Sequence, residues 1–313
     1  MATRLDLQVV DLPSVALSEL EELWRCEGSF WRTRLLWDIS DTIAAMQRIQ
    51  RRGGLQGKAV RADGRLAGYA SYGVAGRLGV ISGLALSPEW RDARVGEALV
   101  QASIDALRSL GVSRIASRFV AIDEAWLVAA FERQGFRTYW REFLRRGLHQ
   151  LPGGVRATAS VFMEPWRQSD LHEATAILQQ AYAGGVDAEI DEQYGSLEGC
   201  QTVLDEILNQ GSCGPLIAEA SGLARQRGRG LGFVLVTEIA PHQAHLTQIA
   251  VVPACQQQGV GRGLLDYSLR RLTAERFETL SLIVSRANAR AFELYQRMGF
   301  APVLSFPVWV WEA

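Results

Sequence analysis

The feature that most constrains this fold is a repeat of the chain within itself. The run Gly83-Leu84-Ala85-Leu86-Ser87-Pro88 has a counterpart in Gln248-Ile249-Ala250-Val251-Val252-Pro253, and both end in proline before a polar loop and a helix. The two prolines stand 165 residues apart, and the same interval pairs Gly96 with Gly261 and Leu99 with Leu264. Gln134-Gly135-Phe136 matches Met298-Gly299-Phe300 at an interval of 164, a slip of one residue. Similarity that keeps its order and spacing marks two copies of one structural unit, and 313 residues accommodate two domains of about 150 each. We therefore expect domains over 1–150 and 156–313. The natural linker is Gly147–Ala159, which holds Pro152-Gly153-Gly154.

In the second copy the pattern predicts a helix over Leu171–Ala183, which follows the cap-like Ser169-Asp170. Strands are expected over 216–220 and 231–238, flanking a loop that carries Arg225, Arg227 and Arg229 and reads as a solvated hairpin turn. A strand follows over His245–Val252, apolar on both faces at its end, as in a central buried strand. Next come a helix over Gly261–Arg276 with Leu264, Leu265, Leu269 and Leu272 on one face, a strand Leu280–Ser285 and a helix Asn288–Arg297. The last strand, Ala301–Trp311, alternates Val308 and Val310 with Trp309 and Trp311, which assigns the tryptophans to one sheet face. The first copy repeats the order with helix 98–110, strand 112–120, helix 123–134 and strand 136–146. Strands and helices mixed in this way define an α/β (α+β) class, a sheet with helices on its faces.

Composition excludes several functions. The 33 basic and 34 acidic side chains nearly cancel, whereas a nucleic-acid binder carries a basic excess, so nucleic acid is not an expected partner. Nothing approaches eighteen consecutive apolar residues and the first residues lack a secretory pattern, so neither membrane nor export is expected and the chain reads as cytoplasmic. Cys26, Cys200, Cys213 and Cys255 are scattered without metal-ligand spacing, and no metal is expected.

The segment richest in chemistry is Ala244–Leu265, a buried strand, a Gln/Gly loop and a helix. Gly259 and Gly261 let backbone amides turn inward without a Cβ in the way. With the positive end of the helix, those amides suit a pyrophosphate. Downstream, Asn288 and Tyr295 lie seven residues apart, hence on one helix face two turns apart.

Together, Gln256-Gln257-Gln258-Gly259-Val260-Gly261 and Ile283-Val284-Ser285-x-x-Asn288-x-x-Ala291-x-x-x-Tyr295-x-x-x-Gly299-Phe300 resemble the GNAT superfamily of acetyl-CoA-dependent N-acetyltransferases. The likeness spans roughly Val161–Val310. Gln257 stands where the family more often has glycine. The first half matches as a degenerate copy, so the whole resembles tandem-GNAT proteins, each fold a mixed, mostly antiparallel sheet flanked by helices. The resemblance implies acetyl transfer from acetyl-CoA to a primary amine by direct attack on the thioester, in a monomer or homodimer. It assigns Ile249, Ala250 and Val251 to the pantetheine arm, and Gln256, Gln257, Gln258, Gly259, Val260, Gly261 and Arg262 to the pyrophosphate. Asn288 and Tyr295 complete the acetyl-CoA site. The amide near Val251 is expected to support the oxyanion, and Tyr295 to protonate the departing thiolate. The expected base is His245, which shares the side-chain parity of Ile249 and Val251; the alternatives are a strand-mouth histidine with no catalytic role, and Glu238 or His242 as the base, acting through water. A non-catalytic acyl-CoA-binding scaffold and a transferase of longer acyl groups are the competing functions.

The copies diverge where the chemistry lies. Gln256 faces Arg91, Gly259 faces Arg94, His245 faces Val80, Asn288 faces Glu124 and Tyr295 faces Phe131, while Pro88, Gly96, Leu99, Gly135 and Phe136 keep their type. We expect the working site in the second copy.

Overall fold

The computed structural model describes residues 5–118, 120, 124–149, 161–209, 211 and 213–313. It divides into two compact units, Met1–Trp140 with Phe306–Ala313, and Arg141–Ser305.

Along the first half run β1 (Leu7–Asp11), α1 (Leu17–Phe30), α2 (Ser40–Arg51), β2 (Gly57–Ala62), β3 (Arg65–Ala75) and β4 (Leu78–Leu86). There follow α3 (Ala93–Ser109), β5 (Arg114–Ser117), α4 (Ala125–Arg133) and β6 (Arg137–Gly147). The second half contains β7 (Phe162–Pro165), α5 (Leu171–Tyr182), α6 (Val186–Ile190), α7 (Leu197–Leu208), β8 (Gly222–Gln226) and β9 (Arg229–Ala240). It ends with β10 (Gln243–Val251), α8 (Val260–Ala274), β11 (Thr279–Ser285), α9 (Ala289–Arg297) and β12 (Ala301–Glu312).

In unit 1 the strand order is β1-β2-β3-β4-β5-β12, and in unit 2 it is β6-β11-β10-β9-β8-β7. The β4–β5 and β10–β11 pairs are parallel; the other registered pairs are antiparallel. The repeat reappears in the registers. Leu78–Ile81 pair with Arg114–Ser117, and Gln243–Leu246 with Thr279–Leu282, each residue shifted by the same 165 positions. Ser82 and Thr247, also 165 apart, each sit in a β-bulge.

The compact units differ from contiguous halves 1–150 and 156–313 in their last strands. Residues 141–147 of β6 pair with β11 inside unit 2, while Val310–Glu312 of β12 pair with β5 inside unit 1. An alternating strand matches either sheet equally well, so the repeat alone leaves this exchange open. Residues 150–159 of the expected linker lie outside the described residues.

Each unit builds its core on one face of a long helix, in unit 2 the face the sequence predicts. Val95, Leu99, Val100, Ile104 and Leu107 of α3 pack on the unit 1 sheet with Phe131, Phe136 and Trp309. Leu264, Leu265, Leu269 and Leu272 of α8 pack on Val234, Val236, Leu280 and Leu282 in unit 2. Trp309 stacks on Phe131 with ring centroids 4.2 Å apart. The arginine loop takes a different form: residues 222–226 are strand, not loop, and the tight turn is Arg227-Gly228, both left-handed. Residues 218–220, expected as strand, form a 3-10 turn. Arg225 leaves the solvent for Asp170 at 2.8 Å, Glu173 at 2.5 Å and Glu164 at 3.3 Å. Three carboxylates around one guanidinium hold α5 to the β8–β9 hairpin.

Candidate active site

In unit 2 the parallel pair opens. β10 and β11 share register only over Gln243–Leu246, yet β10 runs on to Val251 and β11 to Ser285. The bulge at Thr247 bends β10 where it leaves β11. Val252 N–H donates to Leu231 on β9 at 2.9 Å. Bonding alternates along an antiparallel ladder, so Ala250 also faces β9, and the N–H and C=O groups of Ile249 and Val251 face the gap. A cavity of about 990 Å³ fills this opening, with Ile249, Ala250 and Val251 on one wall and Ile283, Val284 and Ser285 on the other.

The loop after β10 closes one end. Gln257 (φ 63°) and Gly259 (φ 84°) are both left-handed, a geometry that gathers successive amides into an anion-binding concavity. α8 starts at Val260, with Gly259 as its N-cap and no side chain capping it. Its first-turn amides, which have no intrahelical acceptor, are left for a ligand. Gln256, Gln257, Gly259, Gly261 and Arg262 line the cavity. The side chains of Gln258 and Val260 are used elsewhere: Gln258 Nε2 donates to the Ala254 carbonyl at 2.8 Å, and Val260 packs in the core. Four arginines (Arg141, Arg262, Arg290, Arg297) against two carboxylates (Asp187, Glu293) make the lining cationic.

Asn288 and Tyr295 line the same cavity. Asn288 Oδ1 accepts from Ala291 N–H at 3.2 Å and caps α9, which leaves its Nδ2 hydrogens as the group it offers the cavity. Tyr295 is only 6% exposed and packs edge-on to Phe300. Burial pushes its phenol well above its ordinary pKa, and the nearby Asp187 charge adds to the effect. The hydroxyl therefore keeps its proton at neutral pH and is available as a donor.

His245 is the exception among the expected residues. It is 4% exposed, outside the cavity lining, and lies over Phe143 with centroids 5.9 Å apart. Its Nδ1 stands 2.9 Å from Ser281 Oγ, whose own hydrogen goes to the Ala244 carbonyl, so Nδ1 is the donor. Burial pushes its pKa down to about 3. A base there has neither access to the cavity nor affinity for a proton, so the expected role does not fit. Strand parity put His245 on the same face as Ile249, but the bulge at Thr247 inserts a residue between them and reverses that parity. Glu238 and His242 sit at the opposite end of β10, where Glu238 Oε1 accepts from His242 N–H at 3.1 Å.

Sequence reasoning missed the wall opposite the loop. Asp187 of α6 accepts from Ser285 Oγ at 2.6 Å and pairs with Arg141 of β6 at 3.2 Å. Tyr182 donates to the Ile249 carbonyl at 3.2 Å and stacks on Tyr194, whose hydroxyl meets Gln248 Oε1. These residues come from four separated segments, and no local motif joins them.

The family model described as the acetyltransferase (GNAT) family matches residues 17–136 and again 185–300. The chain therefore belongs to the GNAT family and carries its domain twice. Among curated relatives, the [ribosomal protein bS18]-alanine N-acetyltransferase of Escherichia coli strain K12 is 39% identical over 75 residues, 24% of this chain and 50% of that protein. The chain thus spans about half the length of the curated relatives it matches. A GCN5-related N-acetyltransferase from Sphaerobacter thermophilus superposes with a TM-score of 0.70 at 14% identity, covering 100% of this chain and 96% of the other. A tandem GNAT protein from the clavulanic acid biosynthesis pathway gives 0.58 at 14% identity, with 98% of both chains covered. At such identities these structures share the fold.

Proposed function

We propose that unit 2 transfers an acetyl group from acetyl-CoA to a primary amine. The observation that carries this reading is the convergence, in one cavity, of a strand edge that β11 has left, an anion-binding loop and a protonated phenol. The gap-facing N–H groups of Ile249 and Val251 suit an amide-bearing arm, while their carbonyls already accept from Tyr182 and Gln256; the amides of Gln257–Arg262 suit a pyrophosphate, and the arginines add matching charge. When bound, acetyl-CoA supplies an activated thioester. The Val251 N–H is the donor available to the carbonyl oxygen as charge develops on it.

Asp187 takes the place of His245 in this reading. Arg141 and Ser285 both converge on its Oδ1, leaving Oδ2 to hold an ammonium and receive its proton, directly or through water. The amine nitrogen then forms the new C–N bond as the C–S bond breaks. Tyr295 gives its proton to the sulfur and regains one from the amide nitrogen or solvent. Net, an ammonium and a thioester yield an amide, a thiol and one proton.

The test is thiol release from acetyl-CoA across a panel of primary amines, beside calorimetry of acetyl-CoA binding. One acetyl-CoA per chain and amine-dependent release are expected. Binding without release for any amine would leave an acyl-CoA-binding scaffold.

A further inference from the structure

Beyond the presence of an amine, the cavity specifies what else the acceptor carries. Asp187 and Arg141 face it as a pair of opposite charges, with side chains 16% and 28% exposed. The pair is only partly spent on itself. A single Arg141 nitrogen, Nη2, reaches Asp187, and only at 3.2 Å. Arg141 Nε is buried with no acceptor among the described residues. On the other partner, both contacts fall on Oδ1 and Oδ2 receives neither. A buried N–H left without an acceptor is costly, and turning the partly exposed guanidinium onto a second carboxylate relieves that cost.

From this geometry we infer that the acceptor is a zwitterion of amino-acid type, its ammonium on Asp187 Oδ2 and its carboxylate on Arg141. This deepens the acetyl-transfer reading above and rests on it. A net-neutral pair of wall charges complements a net-neutral ligand whose two charges lie a few bonds apart. An amine without the carboxylate meets Asp187 but leaves its positive charge beside an unanswered Arg141. A carboxylate without the amine meets the reverse penalty. The same pair sits near the chemistry, because Asp187 lies close enough to Tyr295 to raise its phenol.

The experiment compares the twenty amino acids and β-alanine with their carboxamides as acceptors, holding acetyl-CoA fixed. At least one amino acid should be acetylated with a kcat/KM roughly 100-fold above its carboxamide. Arg141→Gln should bring that ratio toward one, Arg141→Lys should restore part of it, and calorimetry with acetyl-CoA reports whether each variant still folds and binds. Asp187→Asn should lower turnover of acid and amide alike and keep their ratio. A wild-type chain that binds acetyl-CoA and prefers carboxamides, peptide N-termini or plain alkylamines overturns the inference. So does one that binds acetyl-CoA and acetylates no amino acid. Failure to bind acetyl-CoA at all removes the parent reading and this one with it.

Discussion

The starts of α3 and α8 occupy equivalent places in two copies of one fold, yet they spend their backbone amides differently. At α8 the cap is Gly259 in the left-handed region, no side chain covers the first turn, and the cavity opens in front of it. At α3 the helix begins two residues earlier in the repeat. The Asp92 carboxylate accepts from Arg94 N–H at 2.8 Å and also from the Arg94 guanidinium. The first copy thus supplies its own anion where the second leaves room for one. The space is lost as well. A Cβ on Gly96 would meet Trp126 at 1.9 Å, whereas one on Gly261 would find Val251 and Leu294 at 3.7 and 3.8 Å. An indole lies on the very glycine whose counterpart lines the cavity. At the third position, Phe131 is fully buried and stacks on Trp309, so the place of the Tyr295 phenol has become core. A duplicated fold can keep its register and bulges while each chemical position is converted to packing or to an internal ion pair.

Moving first-copy residues into the second tests that comparison, and the largest effect belongs to Tyr295→Phe. The ring and its contact with Phe300 remain, and only the hydroxyl goes. Turnover should fall about 10²–10⁴-fold, roughly 3–5 kcal/mol of barrier, with acetyl-CoA affinity nearly unchanged. Single-turnover rates beside calorimetric affinity measure both. Full turnover in the variant would mean that the tyrosine, like Phe131, only packs.

Next in size is Arg290→Trp, which introduces the Trp126 plug. Arg290 is exposed and lines the cavity, so folding should tolerate the change. Acetyl-CoA affinity should drop about 100-fold, near 2.7 kcal/mol. Unaltered affinity by calorimetry would show that the indole does not close the first copy, and attention would shift to the Asp92–Arg94 pair.

Much of this difference is legible in the sequence, and its limits have physical causes. The loop Gln256–Gly261 and the pair Asn288 and Tyr295 stand out because a ligand's backbone contacts and helix-face spacing leave local marks. The exchange of β6 and β12 between units leaves none, because an alternating strand suits either sheet. Asp187, Arg141 and Ser285 meet only through the fold, from the start of α6, β6 and the end of β11. The expectation for His245 failed on one residue: the bulge at Thr247 turned a correct strand assignment into a wrong face.

His245→Val, which installs the Val80 of the first copy, gives the smallest of the three effects and bears on that last point. Burial holds the folded imidazole at a pKa of about 3, against 6.5 for the ordinary group. Between those values the unfolded chain binds a proton that the folded chain refuses. The stability this residue contributes is therefore whole above pH 6.5 and is lost as pH falls toward 3. From pH 6.5 to 5 the loss is about 2 kcal/mol. The valine variant should start lower at pH 7, because a smaller side chain leaves space beside Phe143, but its stability should fall less steeply over that interval. Denaturant midpoints at pH 7, 6 and 5 read the slope directly. Turnover at pH 7 should stay within about threefold of the parent, a barrier change of no more than about 0.65 kcal/mol. A steep loss of kcat with an unchanged stability slope would return His245 to the catalytic machinery and make its burial, instead of its exposure to the cavity, the thing to explain.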